Sequence, residues 1–356
     1  MRQRTYLILI LLGFFPAQAQ SDELQSVFRS ARAQAMGGAY TAVAEDDAAL
    51  FYNPAGLAGV RGFSIRLPAV SAEASGDVVT GFSQFSQIFS GSDLTQLNQI
   101  LGKNYSVRAN TLASLTVPGF GVAALYDAQL AVRMKNQAYI NGILGSQLTY
   151  GVQFGLGVPL FPEGRRKRHQ LRLGVAGKVL SRAGGFTRLE LTDLLTLNTS
   201  LITGRLQSPG MGYGVDLGLQ YVLELNSAMR LMASVVARDL GNTSFSGSAD
   251  PIQSHMVAGV GMKLKAAGNQ LTLAYDYSRV FEDIDWGKKV HLGAEWEFAL
   301  FRLSVGLNQS VLTYGAGLNL PFLSLMYLNT TEELSSRVGI DPENRHMILV
   351  STKIGF

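Results

Sequence analysis

The sequence predicts an all-β fold, a single antiparallel β-barrel of about fourteen membrane-spanning strands with short helices in its external loops. Three observations predict it. Large apolar residues alternate with glycine and polar residues along most of the chain. Hydrophobic residues make up 47% of the 356 positions, yet beyond the N-terminal run no apolar stretch reaches the length of a membrane helix. The last eleven residues form an amphipathic strand, with Ile348, Val350, Ile354 and Phe356 on one face and Ser351 and Lys353 on the other.

The N-terminus reads as a secretory signal over 1–19. Arg2 and Arg4 supply its positive end, 6–15 is apolar, and Ala17-Gln18-Ala19 offers a small-x-small cleavage site. A run of about ten residues is half of what a bilayer crossing needs. Residues 20–60 carry no alternation and form a separate N-terminal segment, leaving 61–356 for the barrel. Strands are expected near 61–72, 105–117, 120–132, 145–158, 170–184, 210–224, 228–240, 254–267, 269–281, 286–299, 301–309, 311–320, 322–332 and 344–356. Val215, Leu217, Leu219 and Tyr221 oppose Asp216, Gly218 and Gln220, and Val290, Leu292, Ala294, Trp296 and Phe298 oppose His291, Gly293, Glu295 and Glu297. Apolar residues outside with glycine and polar residues inside is the pattern of a lipid-facing barrel.

Parity checks this count. With the C-terminus at the periplasm, Pro118-Gly119, Asn226-Ser227, Gly268-Asn269, the Leu300–Phe301 junction and Pro321 fall on the periplasmic side as tight turns. The long connections, 73–104, 133–144, 185–209, 241–253 and 333–343, all fall outside, the known asymmetry of such barrels. The turn at 161–169, with Arg165-Arg166-Lys167-Arg168-His169, is the longer exception. Gly174, Gly177 and Gly218 are places where the wall can kink.

Composition excludes several classes. Charged residues are 16% of the chain, and the one dense basic cluster is that turn, so no basic face with interleaved aromatics suits nucleic acid. With no cysteine there is no disulfide framework or thiol nucleophile. His169, His255, His291 and His346 lack metal-ligand spacing, and no nucleophile elbow or phosphate loop appears. The inward charges Arg108, Asp127, Arg172, Lys178, Asp216, Lys263, Asp276, Glu295, Glu297 and Arg302 are mixed in sign and read as a salt-bridged interior. Neither an enzyme nor a bound cofactor is expected. In 73–104, Phe82, Phe85, Ile88, Phe89, Leu97 and Leu101 recur at helical spacing among Ser, Gln and Asn, predicting amphipathic helices outside; 185–209 has a similar character.

The segment before the first strand carries the densest motifs: Ala31-Arg32-Ala33, Met36-Gly37-Gly38-Ala39, Ala42-Val43-Ala44, Asp46-Asp47 and Asn53-Pro54-Ala55-Gly56-Leu57. Gly37-Gly38 permits positive φ and close backbone approach. Asp46 and Asp47 are placed to cap a helical turn over 48–52, which Asn53-Pro54 then ends. Together these pieces resemble the N-terminal signature of the FadL superfamily of outer-membrane barrels, above all its shorter PorV/PorQ-like and TraF-like branch, and that superfamily uses about fourteen strands. The resemblance implies a hatch folded inside the barrel, built on Met36, Gly37, Gly38, Asp46, Asp47, Asn53, Pro54, Ala55 and Gly56. It also implies a place in the outer membrane of a Gram-negative bacterium, and an external groove for a hydrophobic ligand at Phe82, Phe85, Ile88, Phe89, Leu97 and Leu101. The implied function is passive uptake of small hydrophobic molecules such as fatty acids. The alternative is a PorV-like barrel that docks or shuttles secreted proteins. The implied partners are membrane lipid and the assembly machinery that reads the C-terminal Phe356.

Overall fold

A computed structural model describes residues 26–83, 102–135, 141–160, 168–189, 209–247 and 249–355. Among these, fourteen strands follow one another: β1 (Ser64–Ser75), β2 (Asn104–Val117), β3 (Phe120–Lys135), β4 (Asn141–Pro159), β5 (His169–Leu189), β6 (Gly210–Glu224), β7 (Met229–Arg238), β8 (His255–Ala266), β9 (Asn269–Ser278), β10 (Val290–Phe298), β11 (Phe301–Asn308), β12 (Val311–Asn319), β13 (Leu323–Glu333) and β14 (Pro342–Gly355). Each pairs antiparallel with its neighbours in sequence, and β14 pairs with β1 from Ser64↔Gly355 to Ser75↔Arg345. The sheet closes on itself, so it has no edge strand. The register of β1 slips between Leu67 and Ala69 against both partners. Pro68 lies between them and has no N–H to give to a ladder.

The sequence-derived boundaries need three corrections. β4 and β5 are longer than expected, because their ladder runs on to Gly142↔Leu189, past the region where alternation is legible. β1 extends to Ser75 and leads into the short helix Gly76–Thr80. Residues 286–289 are a helical turn rather than strand, because the Asp285 carboxylate accepts the Gly287 N–H at 2.9 Å and caps it.

All tight turns expected on one side, from 118–119 to 320–322, do share one end of the barrel, here the turn end, together with Gly355. The strand ends Ser75, Lys135, Leu189, Arg238, Ser278 and Glu333, from which the longer connections leave, share the other, the loop end. One loop-end connection, Gln309-Ser310, is as tight as any turn and uses positive φ at both residues.

Burial alternates strictly in β6, where Met211, Tyr213, Val215, Leu217, Leu219 and Tyr221 are exposed while Gly210 to Val222 on the other parity are buried. Exposed Phe63, Phe120, Phe301 and Phe322 ring the turn end, and Tyr213, Phe281 and Trp286 stand at the loop end. An apolar outer wall between two aromatic girdles is the surface a bilayer selects. No helix among the described residues is long and apolar enough to cross a membrane, so any crossing is made by strands. The hydrophobic core lies inside the barrel, around Met36, Tyr40, Ala42, Val43, Leu50 and Leu57.

Candidate functional site in the barrel interior

Residues 26–60 run around the inner wall, and small wall residues receive them. The short helix Ala31–Ala35 sets Ala35 against Gly315 of β12. Met36 packs on Gly293 of β10. Gly37, at φ 66°, lies so close to the Leu292 and Leu307 carbonyls that a Cβ there would stand 2.5 Å from both oxygens. Gly38 follows at φ 83°, its missing Cβ leaving room for the His291 ring. Ala42 and Val43 then cover Gly259 and Gly261 of β8, and Leu50 and Leu57 cover Gly121 and Gly155 of β3 and β4. The paired row Gly157↔Gly174↔Gly218 seats Pro54 and Ala55. Many inward glycines of the alternating pattern are thus the footprint of this segment, whereas Gly185, Gly210, Gly212 and Gly214 receive Asp250, Ser246, Phe245 and Thr243 instead. Gly174 and Gly218 belong to that seat within an uninterrupted ladder, and Gly177 faces outward beneath the Phe154 ring, so none of the three kinks the wall.

Polar contacts hold the same path. Asp276 of β9 accepts the Tyr40 and Thr41 N–H groups at 2.9 and 2.8 Å. The Gln220, Lys263, Gln153 and Arg238 side chains donate to the carbonyls of Ala42, Val43, Leu50 and Tyr52 at 2.7 to 2.9 Å. Such contacts satisfy backbone groups of a segment with little regular structure.

Ion pairs pin the segment near its start and at its middle. Arg32 bridges Asp46 at 3.2 Å and Glu295 at 2.9 Å, and pairs also with Glu297. Glu45 meets Arg172, Arg230 and Lys263 at 2.8, 3.1 and 2.7 Å. Burial alone would raise the Glu45 carboxyl, but the Lys263, Arg230 and Arg172 charges outweigh it and lower its pKa to about 2. Toward the loop end, Arg29 pairs with Glu332 at 2.6 Å, and Arg345 joins the same cluster with Glu73, Glu332 and Glu343.

The anticipated hatch residues fall at distinct places on this path. Asp46 accepts the Ala48 N–H at 3.1 Å and the Tyr40 hydroxyl at 2.6 Å. Asp47 does not cap the turn. Its carboxylate goes to Arg66 at 2.7 Å and Ser114 at 3.3 Å, because a wall cation outbids an already served backbone. The helix Ala49–Tyr52 ends at Asn53, whose side chain accepts Ala55 N–H at 3.0 Å and donates to the Thr41 carbonyl at 3.1 Å. The chain then continues as the 3₁₀ helix Pro54–Gly59, in which Gly56 packs on the Ala44 carbonyl. Phe82 is exposed at the loop end, while Phe85, Ile88, Phe89, Leu97, Leu101 and Phe356 lie outside the described residues. Sequence reasoning passed over Glu45; its signal was three inward cations, Arg172, Arg230 and Lys263, of which only Arg230 has a carboxylate, Glu224, opposite it on a neighbouring strand.

Between segment and loop end a cavity of about 210 Å³ remains. Its lining is mixed: the Phe28 and Phe51 rings, 4.4 Å apart between centroids, share it with Lys178, Asp216, Arg238 and His255. A second, apolar depression of about 740 Å³ lies on the outer wall over β7 to β12, where Gly261, Gly293 and Gly306 leave only backbone between it and the segment.

No family model matches the chain, and no curated protein does. Among solved structures, it is similar to the Pseudomonas putida toluene transporter TodX at 12% identity, covering 92% of this chain and 98% of that one, with a TM-score of 0.40. It is similar to the Ralstonia pickettii toluene transporter TbuX at 11% identity, covering 94% and 100%, with a TM-score of 0.39. For the monoaromatic hydrocarbon channel CymD the values are 10%, 91% and 96%, and 0.36.

Proposed function

We propose that this protein sits in a bacterial outer membrane, turn end to the periplasm, as a passive conduit for small hydrophobic molecules, with residues 26–60 as its hatch. One observation carries the reading: the interior is closed by a segment fitted to glycines of the wall, yet keeps a cavity with an aromatic pair in its lining. An open pore would need no fitted segment, and a solid barrel would keep no cavity. The motif resemblance of 31–57 to the FadL superfamily supports the same reading, and the apolar outer depression behind the hatch offers a hydrophobic solute a dry approach. The external groove at Phe82, Phe85, Ile88, Phe89, Leu97 and Leu101 belongs to this proposal as the site of first capture.

Reconstituted liposomes test it. The intact chain should admit a small aromatic probe and exclude a sugar of similar mass; deletion of 31–58 should admit both. An intact chain that passes both solutes, or neither, removes the conduit. A rival role in docking secreted proteins would show as an empty barrel that co-purifies stoichiometrically with a protein.

A further inference from the structure

The turn end of the interior holds another cavity, of about 450 Å³, between the tail of the hatch, the β6–β7 turn and the inner faces of β7 to β9. It brings together four cations, Arg61, Arg230, Lys263 and Lys265, against two carboxylates, Glu45 and Glu224. Both carboxylates are already engaged: Glu45 by Arg230 and Lys263, and Glu224 by Arg230 at 2.7 Å. Arg61 and Lys265 are exposed, and among the described residues neither has an ion pair. The Arg168 carbonyl accepts the Glu224 N–H at 2.8 Å, which sets the start of β5 beside the cavity. The cavity therefore has an excess of positive charge at its mouth and, in Glu45, an internal example of the group it holds.

We infer that this cavity is an anion-binding vestibule that docks an acidic, extended segment of a periplasmic protein. It rests on the proposed orientation for the word periplasmic, and on charge complementarity for the rest. A bilayer lipid fits poorly. Arg230 and Lys263 reach Glu45 in the lumen, whereas outward Val235 and Val260 on the same strands face away, so a lipid would have to bridge the ring of turns. A single small anion would leave one of Arg61 and Lys265 unused, since they come from separate elements, the hatch tail and β8, whereas a run of carboxylates meets them together. An incoming carboxylate also competes with Glu45 for Arg230 and Lys263, which couples docking to the hold on the hatch.

The test uses the full-length barrel in detergent, where both ends are accessible and orientation plays no part. Binding of a fluorescent hexaglutamate peptide is followed by anisotropy. It should weaken with salt, and hexaglutamine should not bind. Arg61→Glu with Lys265→Glu should weaken binding at least about tenfold, Arg61→Gln with Lys265→Gln by less, and Arg337→Glu at the loop end by less than about twofold. Glu45→Gln should tighten it, by releasing wall cations. The inference is overturned if the double charge reversal binds like the parent with unchanged heat-dependent gel mobility. It is also overturned if hexaglutamine binds equally, or if succinate or inorganic phosphate competes as strongly as the peptide.

Discussion

Gly174 offers the sharpest test of the hatch, because every near neighbour of a side chain placed there belongs to the inner segment. A Cβ at Gly174 would stand 2.5 Å from the Pro54 carbonyl oxygen and closer still to Pro54 C and Ala55 N, where ordinary contact begins at 3.4 Å. The segment must retreat by about 1 Å, which stretches the 3.0 Å bond from Ala55 N–H to Asn53 and unseats the 3₁₀ helix. Overpacking of this kind costs about 1–3 kcal/mol. Charged against the docked state, that corresponds to roughly 5- to 150-fold more time undocked. Gly317 is the control: it also faces inward, but a Cβ there meets nothing nearer than 3.4 Å. Planar-bilayer recordings should show Gly174→Ala opening to ions far more often than the parent, and Gly317→Ala indistinguishable from it. Equal leakage through both variants would refute a shape-fitted hatch, whatever its absolute level.

Three further outcomes follow from the same contacts. Because the docked Glu45 carboxyl is held below its ordinary range, its contribution is complete above about pH 4.5 and is lost as pH falls toward 2. Conductance of the parent should rise across that window, and Glu45→Gln should abolish the step while leaking at neutral pH. Arg345→Met leaves Glu73, Glu332 and Glu343 short of their shared cation, so the heat-dependent gel transition should fall by an amount matching about 3–5 kcal/mol; an unchanged midpoint would mean these charges are solvated. A charged tail added after Phe356 should lower the yield of inserted barrel, since β14 completes the closure with β1; normal insertion would count against the terminal strand as an assembly signal.

The wall was legible because a period of two repeats over every strand, and one slipped residue would turn Val215 inward and Asp216 out to lipid. Parity added the ends, since a miscounted strand would have mixed tight turns with long loops. Legibility failed where alternation carries no cost. The upper reaches of β4 and β5 lie past the apolar belt, so their pairing leaves no pattern to read. Within the segment, motifs marked Met36 to Gly38 and Asn53 to Gly56 but not their partners, because strands distant in sequence supply them. Gly174 and Gly293 read as merely small inward residues until Pro54 and Met36 are set on them. Asp47 was misassigned for a related reason: local spacing proposes a cap, and only the closed barrel brings Arg66 within 2.7 Å.

Two kinds of lock hold the hatch, and they answer to different conditions. The glycine seats on β4, β5, β6, β10 and β12 act through shape, which neither salt nor pH alters. The ion pairs act through charge, but they are buried, so salt reaches them weakly while protonation reaches Glu45 directly. They also act at different stations. Glu45 is gripped by β5, β7 and β8, whereas the closest backbone seats lie under Met36–Gly37 on β10 and under Pro54–Ala55 on β5 and β6. Releasing Glu45 therefore slackens the middle of the segment, where Asp46 and Asp47 keep their partners Arg32 and Arg66, while both flanks stay seated, a loosening rather than an ejection. Full opening requires the shape locks to yield as well, so on the proposed reading a small solute would pass a slack middle before the whole bore is exposed.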